Sequence, residues 1–176
     1  EKLCNASGVF TRNIVKAESV KYTQQILKNG KAQAAIVNVG YANACTGEQG
    51  AQVAKKMAIA AANALNINPD DVIVCSTGII GQQVPVEKIE KNIMNLKNGL
   101  SKEGHKDASI GIMTTDTQNK ECAVQFELDG KVVTIGTMCK GSGMIHINMG
   151  TMLGFIATDC NITSAMLDKA LHESIL

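Results

Sequence analysis

The pair Gly150-Thr151 is where this 176-residue sequence places a nucleophile directly after a carbonyl it could attack. A threonine hydroxyl that attacks the preceding carbonyl cuts the chain there, and the amine it frees can then serve as its base. An N-terminal amine is one of the few bases that arrives with the nucleophile, and its unperturbed pKa of about 7.7–8.0 suits neutral pH. Gly150 has no side chain to obstruct the attack. Taken by itself, a threonine in an apolar run is an ordinary strand residue, because β-branched side chains favour strands.

Two further glycine-rich turns follow apolar runs, at Thr77-Gly78 and at Lys140-Gly141-Ser142-Gly143. Strand ends are where α/β proteins place their sites. Neither turn spells a phosphate cradle. Residues 76–83 lack the G-x-x-x-x-G-K-[ST] string, and Gly141-Ser142-Gly143 opens a G-x-G-x-x-G in which His146 replaces the third glycine. A nucleotide-binding module and plain tight turns both remain as readings of these glycines. The six cysteines (Cys4, Cys45, Cys75, Cys122, Cys139, Cys160) and three histidines (His105, His146, His172) have no short metal-ligand spacing. That excludes a zinc site of the C-x-x-C kind but not a scattered one, and the expectation is that no metal or cofactor is needed. Most of the cysteines lie in apolar runs and read as buried free thiols in a reducing cytosol.

The elements that must position these residues alternate between strand and helix, which predicts an α/β fold. Short strands are expected at Gly8–Thr11, Ala34–Val39, Val72–Cys75 and Ser109–Met113, and apolar strand segments at Met144–Met149 and Met152–Ala157. A helix capped by Ser19 should run to Gly30. The most regular helix carries Val53, Met57, Ala61 and Leu65 on one face and ends by Pro69. Pro85 precedes another, with Ile89, Ile93 and Leu96 on one face, closed near Gly99. The alternation Cys122, Val124, Phe126, Leu128, then Asp129-Gly130, then Val133, Ile135, Thr137 spells a hairpin with a type I′ turn. Asn161 or Thr163 should cap a last helix with Met166, Leu167, Ala170 and Leu171 inward.

Composition narrows the function classes. Lys and Arg (17) nearly balance Asp and Glu (16), which argues against a binder of the nucleic-acid backbone. Aromatics are 3% with no Trp, too few for base-stacking platforms. Hydrophobic residues reach 45%, enough for a packed core. No run approaches the ~18 apolar residues of a membrane span, and there is no basic-then-apolar leader. The sequence does not begin with Met and ends directly on a helix, leaving the 152–157 strand uncovered, so a longer polypeptide is expected.

Several strings together resemble the ornithine acetyltransferases, the glutamate N-acetyltransferases of arginine biosynthesis. Lys140-Gly141-Ser142-Gly143-Met144-Ile145 followed after residues 146–150 by Thr151-Met152-Leu153-Gly154-Phe155 is similar to that family's self-cleavage signature. Gly8-Val9-Phe10-Thr11-Arg12-Asn13 resembles its early strand, Cys75-Ser76-Thr77-Gly78-Ile79-Ile80-Gly81 its oxyanion-hole segment, and Ile112-Met113-Thr114-Thr115-Asp116-Thr117 its substrate-contacting strand. Asn38-Val39-Gly40, Asn43-Ala44-Cys45-Thr46-Gly47 and Gly50 agree as well, so the resemblance runs in order from about Ser7 to Asp159.

That resemblance implies a layered mixed-sheet α/β fold of the ornithine acetyltransferase and DmpA-like superfamily, with chemistry like that of N-terminal-nucleophile hydrolases. It implies Thr151 as nucleophile, cleavage between Gly150 and Thr151, and an oxyanion hole from the Thr77 hydroxyl and the Gly78 N–H. Thr114, Lys140 and Thr151 would contact substrate. Lys140 suits the carboxylate of an amino-acid substrate, or holds down the pKa of the Thr151 amine by like charge; read alone it is a solvated surface lysine. Acetyl would pass from N-acetyl-ornithine to Thr151 and then to glutamate, with acetyl-CoA as a second donor in some relatives. Residues 1–150 would correspond to an α chain and 151–176 to the start of a β chain. The C-terminal half of that β chain would be the missing partner, in a cytoplasmic heterotetramer of two α and two β chains, with no nucleic acid or membrane. Gly150 stands where the family usually has Ala, and Ile147 where it often has Pro. Rival readings are a self-processing threonine aminopeptidase or amidase, with water as acceptor, and an inactive folded fragment.

Overall fold

The computed structural model describes residues 2–145 and 150–175. Strands β1 (Cys4–Asn5), β2 (Lys31–Ala32), β3 (Ala34–Tyr41), β4 (Val72–Ile79), β5 (Lys120–Leu128), β6 (Lys131–Lys140) and β7 (Leu153–Thr158) alternate with helices. These are α1 (Glu18–Ile26), α2 (Gly47–Leu65), α3 (Val86–Asn98), α4 (His105–Gly111) and α5 (Ser164–Ser174), and the result is the expected mixed α/β architecture. The strands divide over three sheets: β1-β2 antiparallel, β3-β4 parallel and β5-β6-β7 antiparallel.

The core lies between the parallel pair and the helices on it. In α2, Val53 and Ala54, Met57 and Ala58, then Ala61 and Ala62 are all buried, the three-to-four spacing of one helix face. They pack with Ile36, Val72, Val74, Val84 and Val86. The alanines let the helix approach the sheet closely, and full burial of a side chain such as Met57 contributes about 1.5–3 kcal/mol. Helix α2 ends at Leu65, ahead of Pro69, because Asn66 adopts the left-handed conformation (φ 57°) and its N–H caps Ala62 and Asn63. On the far edge of β4, Thr23 of α1 replaces a strand neighbour. Its hydroxyl donates to the Val74 carbonyl at 2.7 Å and accepts from the Val74 N–H at 2.9 Å.

The hairpin forms as its alternation predicts. Leu128 pairs with Lys131, and Asp129 (φ 50°) and Gly130 (φ 73°) take the two positive φ values of a type I′ turn. Strand β6 is central, pairing with β7 from Ile135–Thr158 to Lys140–Leu153. Thr163 caps α5 by accepting from the Met166 N–H, while Asn5 Nδ2 and Ser164 Oγ donate to the carbonyls of Ile162 and Gly30 and tie α5 to the N-terminal strands.

Several expectations are corrected. Residues 109–113 lie in and just after α4 and form no strand. Ser109 and Ile112, three apart, are buried on one face, whereas Ile110 is exposed, so the β-branched run misreads a helical period. Gly8–Thr11 is not a strand; the Phe10 ring and the Leu27 side chain close over Gly8 instead. Ser19 sits inside α1, buried, and the cap position is Ala17, with the Glu18 N–H held by the Asn43 carbonyl. Leu96, Met166 and Ala170 are exposed rather than inward. The strand expected over Met144–Met149 falls partly on residues 146–149, outside the described residues; Met144 and Ile145 are irregular and exposed. The cysteines are free, but Cys4, Cys45 and Cys122 are exposed and the others half-buried, since β1 is a short edge strand and β5 is uncovered. Among the described residues, no helix is long and apolar enough to cross a membrane.

Thr23→Val keeps the shape of the side chain but strands the buried N–H and C=O of Val74. It should destabilise the protein by about 1–3 kcal/mol for each group left unpaired, read as a lower denaturant midpoint at unchanged slope.

Candidate active site

Strand β4 changes phase as it nears its end. Val72 and Val74 are buried in alternation, but the next buried residue is Thr77, an odd step that turns this hydroxyl inward. The pairing with β3 is irregular there, Tyr41 facing both Thr77 and Ile79. Gly78 follows at φ 134°, and a Cβ on it would lie 2.2 Å from the Gly40 carbonyl carbon, so only glycine fits. Asn38, paired with Ser76 across the two strands, leaves its Oδ1 without a partner, as does Ser76 its Oγ, so unsatisfied polar atoms lie beside Thr77.

Lys140 ends β6 with its side chain turned inward, 5% exposed, which corrects the reading of a solvated lysine. Its Nζ donates to Thr77 Oγ1 at 3.1 Å, joining the antiparallel sheet to the parallel one. With its oxygen engaged by an ammonium donor, the Thr77 hydroxyl keeps its own proton for another acceptor. The next residue, Gly141 (φ 145°), closes on the segment that leads into β7: a Cβ there would lie 3.6 Å from the Thr151 carbonyl oxygen and from Met152 Cα.

Thr151 has φ 63°, in the left-handed region that a β-branched residue rarely enters. Conformations of this kind cost about 1–3 kcal/mol. The Thr151 hydroxyl lies on the Gly150 carbonyl oxygen at 2.7 Å. Thr114 is exposed in the turn after α4, next to the segment that touches the end of β6, where Thr115 Oγ1 and Ser142 Oγ are 2.9 Å apart. Lys140 and Thr77 are thus in direct contact, with Gly78 next to Thr77, while Thr151 comes beside Gly141, the residue after Lys140, and Thr114 lies at the margin. Cys75, two residues before Thr77, is half-buried, and burial pushes its thiol up to about 11, which disfavours the thiolate at neutral pH.

Sequence reading assigned no role to Asp116. Its side chain is 0% exposed and accepts from Lys120 Nζ, from the Gly141 N–H at 2.8 Å and from the Thr114 N–H at 3.4 Å. The bond from Lys120, then that from Gly141, hold its carboxyl well below the ordinary carboxylate range, against the opposing effect of burial. Its place inside the string Ile112–Thr117 was the only signal available in the sequence.

Comparison with known proteins gives one answer. The chain matches the ArgJ family over residues 1–175. It is 50% identical over 175 residues to the arginine biosynthesis bifunctional protein ArgJ of Caldanaerobacter subterraneus subsp. tengcongensis, covering 99% of this chain and 43% of that protein. With the protein of the same name from Thermotoga neapolitana it shares 49% identity, over 98% of this chain and 44% of the other. Two of the crystal structures that align with it illustrate the match. The arginine biosynthesis bifunctional protein argJ of Bacillus halodurans has a TM-score of 0.77 at 39% identity, over 82% of this chain and 76% of that one. Ornithine acetyltransferase from Mycobacterium tuberculosis, complexed with ornithine, has a TM-score of 0.72 at 35% identity, over 87% and 78%. The chain spans less than half the length of these curated relatives.

The lowered Asp116 pKa fixes a direction for acid stability. The unfolded chain binds this proton at about pH 3.9, the folded one only at lower pH, so the stabilisation is complete above that range and drains away as pH falls through it. The Tm of the wild type should fall more steeply between pH 5 and pH 2 than that of Asp116→Asn; parallel curves would contradict the assignment.

Proposed function

The chain belongs to the ArgJ family, and on that premise we propose that it carries the nucleophile-bearing part of an acetyltransferase that moves acetyl from N-acetyl-ornithine to glutamate in arginine biosynthesis. The observation that carries this reading is Thr151 itself. Its hydroxyl donates a hydrogen bond to the oxygen of the carbonyl it would attack, on a backbone strained at φ 63°. In self-cleavage, Thr151 Oγ bonds to the Gly150 carbonyl carbon, the C–N bond breaks, and the hydroxyl proton passes to the Thr151 nitrogen. Water then hydrolyses the ester, leaving a Gly150 carboxylate and a Thr151 with free amine and hydroxyl. A terminal residue has no preceding carbonyl to define φ, so cleavage also releases the strain.

In transfer, the Thr151 amine takes the hydroxyl proton as Oγ attacks the acetyl carbonyl. The Thr77 hydroxyl and the Gly78 N–H would meet the developing oxyanion, and the bond from Lys140 to Thr77 supports that role by orienting the donor. Collapse returns the proton to the departing amine of ornithine and leaves acetyl on Thr151. The glutamate amine then attacks the ester, N-acetylglutamate leaves, and Thr151 is regenerated. Lys140 and Thr114 are assigned to substrate contact, with Lys140 near a substrate carboxylate. Acetyl-CoA as an alternative donor belongs to the same proposal.

The division into residues 1–150 and a second chain opening at Thr151 follows from that cleavage. A further β-chain segment should pack on one face of the β5-β6-β7 sheet, where Val124, Phe126 and Ile156 are exposed, and the greater length of the relatives supports it. A heterotetramer of two α and two β chains completes the reading. The exposed free thiols of Cys4, Cys45 and Cys122 favour a reducing, cytoplasmic setting.

Two variants of the full-length protein test these roles. Thr151→Ala should remain a single chain on a denaturing gel, and wild-type cleavage in it would remove Thr151 from the mechanism. Thr77→Ala should process or be supplied as two chains, and then lose ~10²–10³ in kcat, much more than its KM rises, as expected for a donor that acts on transition-state charge. An unchanged kcat would place Thr77 outside the oxyanion hole.

A further inference from the structure

The Asp116 carboxylate has a burial that its ion pair does not require. Lys120, four residues on, is 44% exposed, so the pair by itself could form at the surface. Yet the Asp116 side chain is fully enclosed, and its other two partners are backbone N–H groups: Gly141, adjacent to Lys140, and Thr114. One carboxylate therefore joins three segments, the turn after α4, the start of β5 and the end of β6. The Thr115–Ser142 hydroxyl contact crosses the same junction from the outside. Gly141 matters because it is constrained on both sides: its N–H is held by Asp116, and the space a Cβ would occupy faces the Thr151 carbonyl and Met152.

We infer that Asp116 is a positioning residue for the nucleophile: its carboxylate fixes the end of β6, so that Lys140 reaches Thr77 and Gly141 receives Thr151. The inference rests on the reading of Thr151 as the self-cleaving residue. Asp116 Oδ1 accepts from both Lys120 Nζ and the Gly141 N–H, and Oδ2 from the Thr114 N–H. Asparagine keeps one acceptor oxygen but turns its NH₂ toward a donor, the Thr114 N–H, if that oxygen stays on Gly141, and removes the charge that strengthens all three bonds. The anchor at the end of β6 is then weakened, and displacements of about 1 Å at a reacting centre can cost ~10²-fold in rate.

Self-cleavage of the full-length precursor is the readout, because it is intramolecular and needs no substrate. Its first-order rate is taken from the appearance of the fragment that begins at Thr151, and is divided by the folded fraction from circular dichroism. Asp116→Asn should slow this normalised rate at least tenfold. A purely structural Asp116 would lower Tm while the folded fraction cleaves at the wild-type rate, and that result overturns the inference. If the asparagine variant does not fold, Asp116→Glu is read in the same way. It keeps the charge for Lys120 but moves the oxygens off the Gly141 N–H, so it too should be at least tenfold slow, and a wild-type rate overturns the inference. A wild-type precursor that is not cut at Gly150-Thr151 removes the reading of Thr151, and this inference with it; a precursor that is cut, with both variants equally fast, removes the inference alone.

Discussion

The bond from Lys140 Nζ to Thr77 Oγ1 is the interaction on which the rest of the site depends. It runs between the last residue of β6 and the inward-turned hydroxyl near the end of β4, and so registers two sheets that share no strand. Enclosing a lysine in this way is costly unless its ammonium is hydrogen-bonded. Both partners therefore constrain the fold around them. The phase change in β4 brings Thr77 inward, and the end of β6 must lie close enough for Lys140 to reach it.

The strained threonine makes sense in this frame. Thr151 enters just before β7, whose pairing with Lys140 through Leu153 leaves little slack between the Gly150–Thr151 bond and the anchored strand. A φ of 63° places the hydroxyl on the preceding carbonyl instead of along the strand. Strain that persists only because the surroundings over-determine it is a usual mark of a functional segment. Here those surroundings are Gly141, held through its N–H by Asp116, and the ladder that begins at Leu153.

Local periodicity made much of the fold legible. Helix α2 follows from Val53, Met57 and Ala61, and the β5-β6 hairpin from its alternation and Asp129-Gly130, because both elements are set by neighbours within a few residues. Helix α4 was not legible: Ile110 and Ile112 look like strand residues, and only tertiary burial of Ser109 and Ile112 reveals the helical face. The candidate site was legible residue by residue at Thr77, Gly78, Lys140 and Thr151, through strings shared with a family. The inward turn of Lys140 was not, since it is decided by a hydroxyl 63 positions away, nor was Asp116, whose partner Gly141 lies 25 positions on.

The central claim is that the Thr151 hydroxyl carries the acyl group. Its most direct test is to incubate the full-length, self-processed protein with N-acetyl-ornithine in the absence of glutamate, quench in acid and map the peptides by mass. The account predicts one acetyl group, ester-linked to the N-terminal threonine of the second chain, which disappears when glutamate is added and reappears as N-acetylglutamate. Acetyl found on another residue, or transfer to glutamate with Thr151 never acetylated, would contradict it.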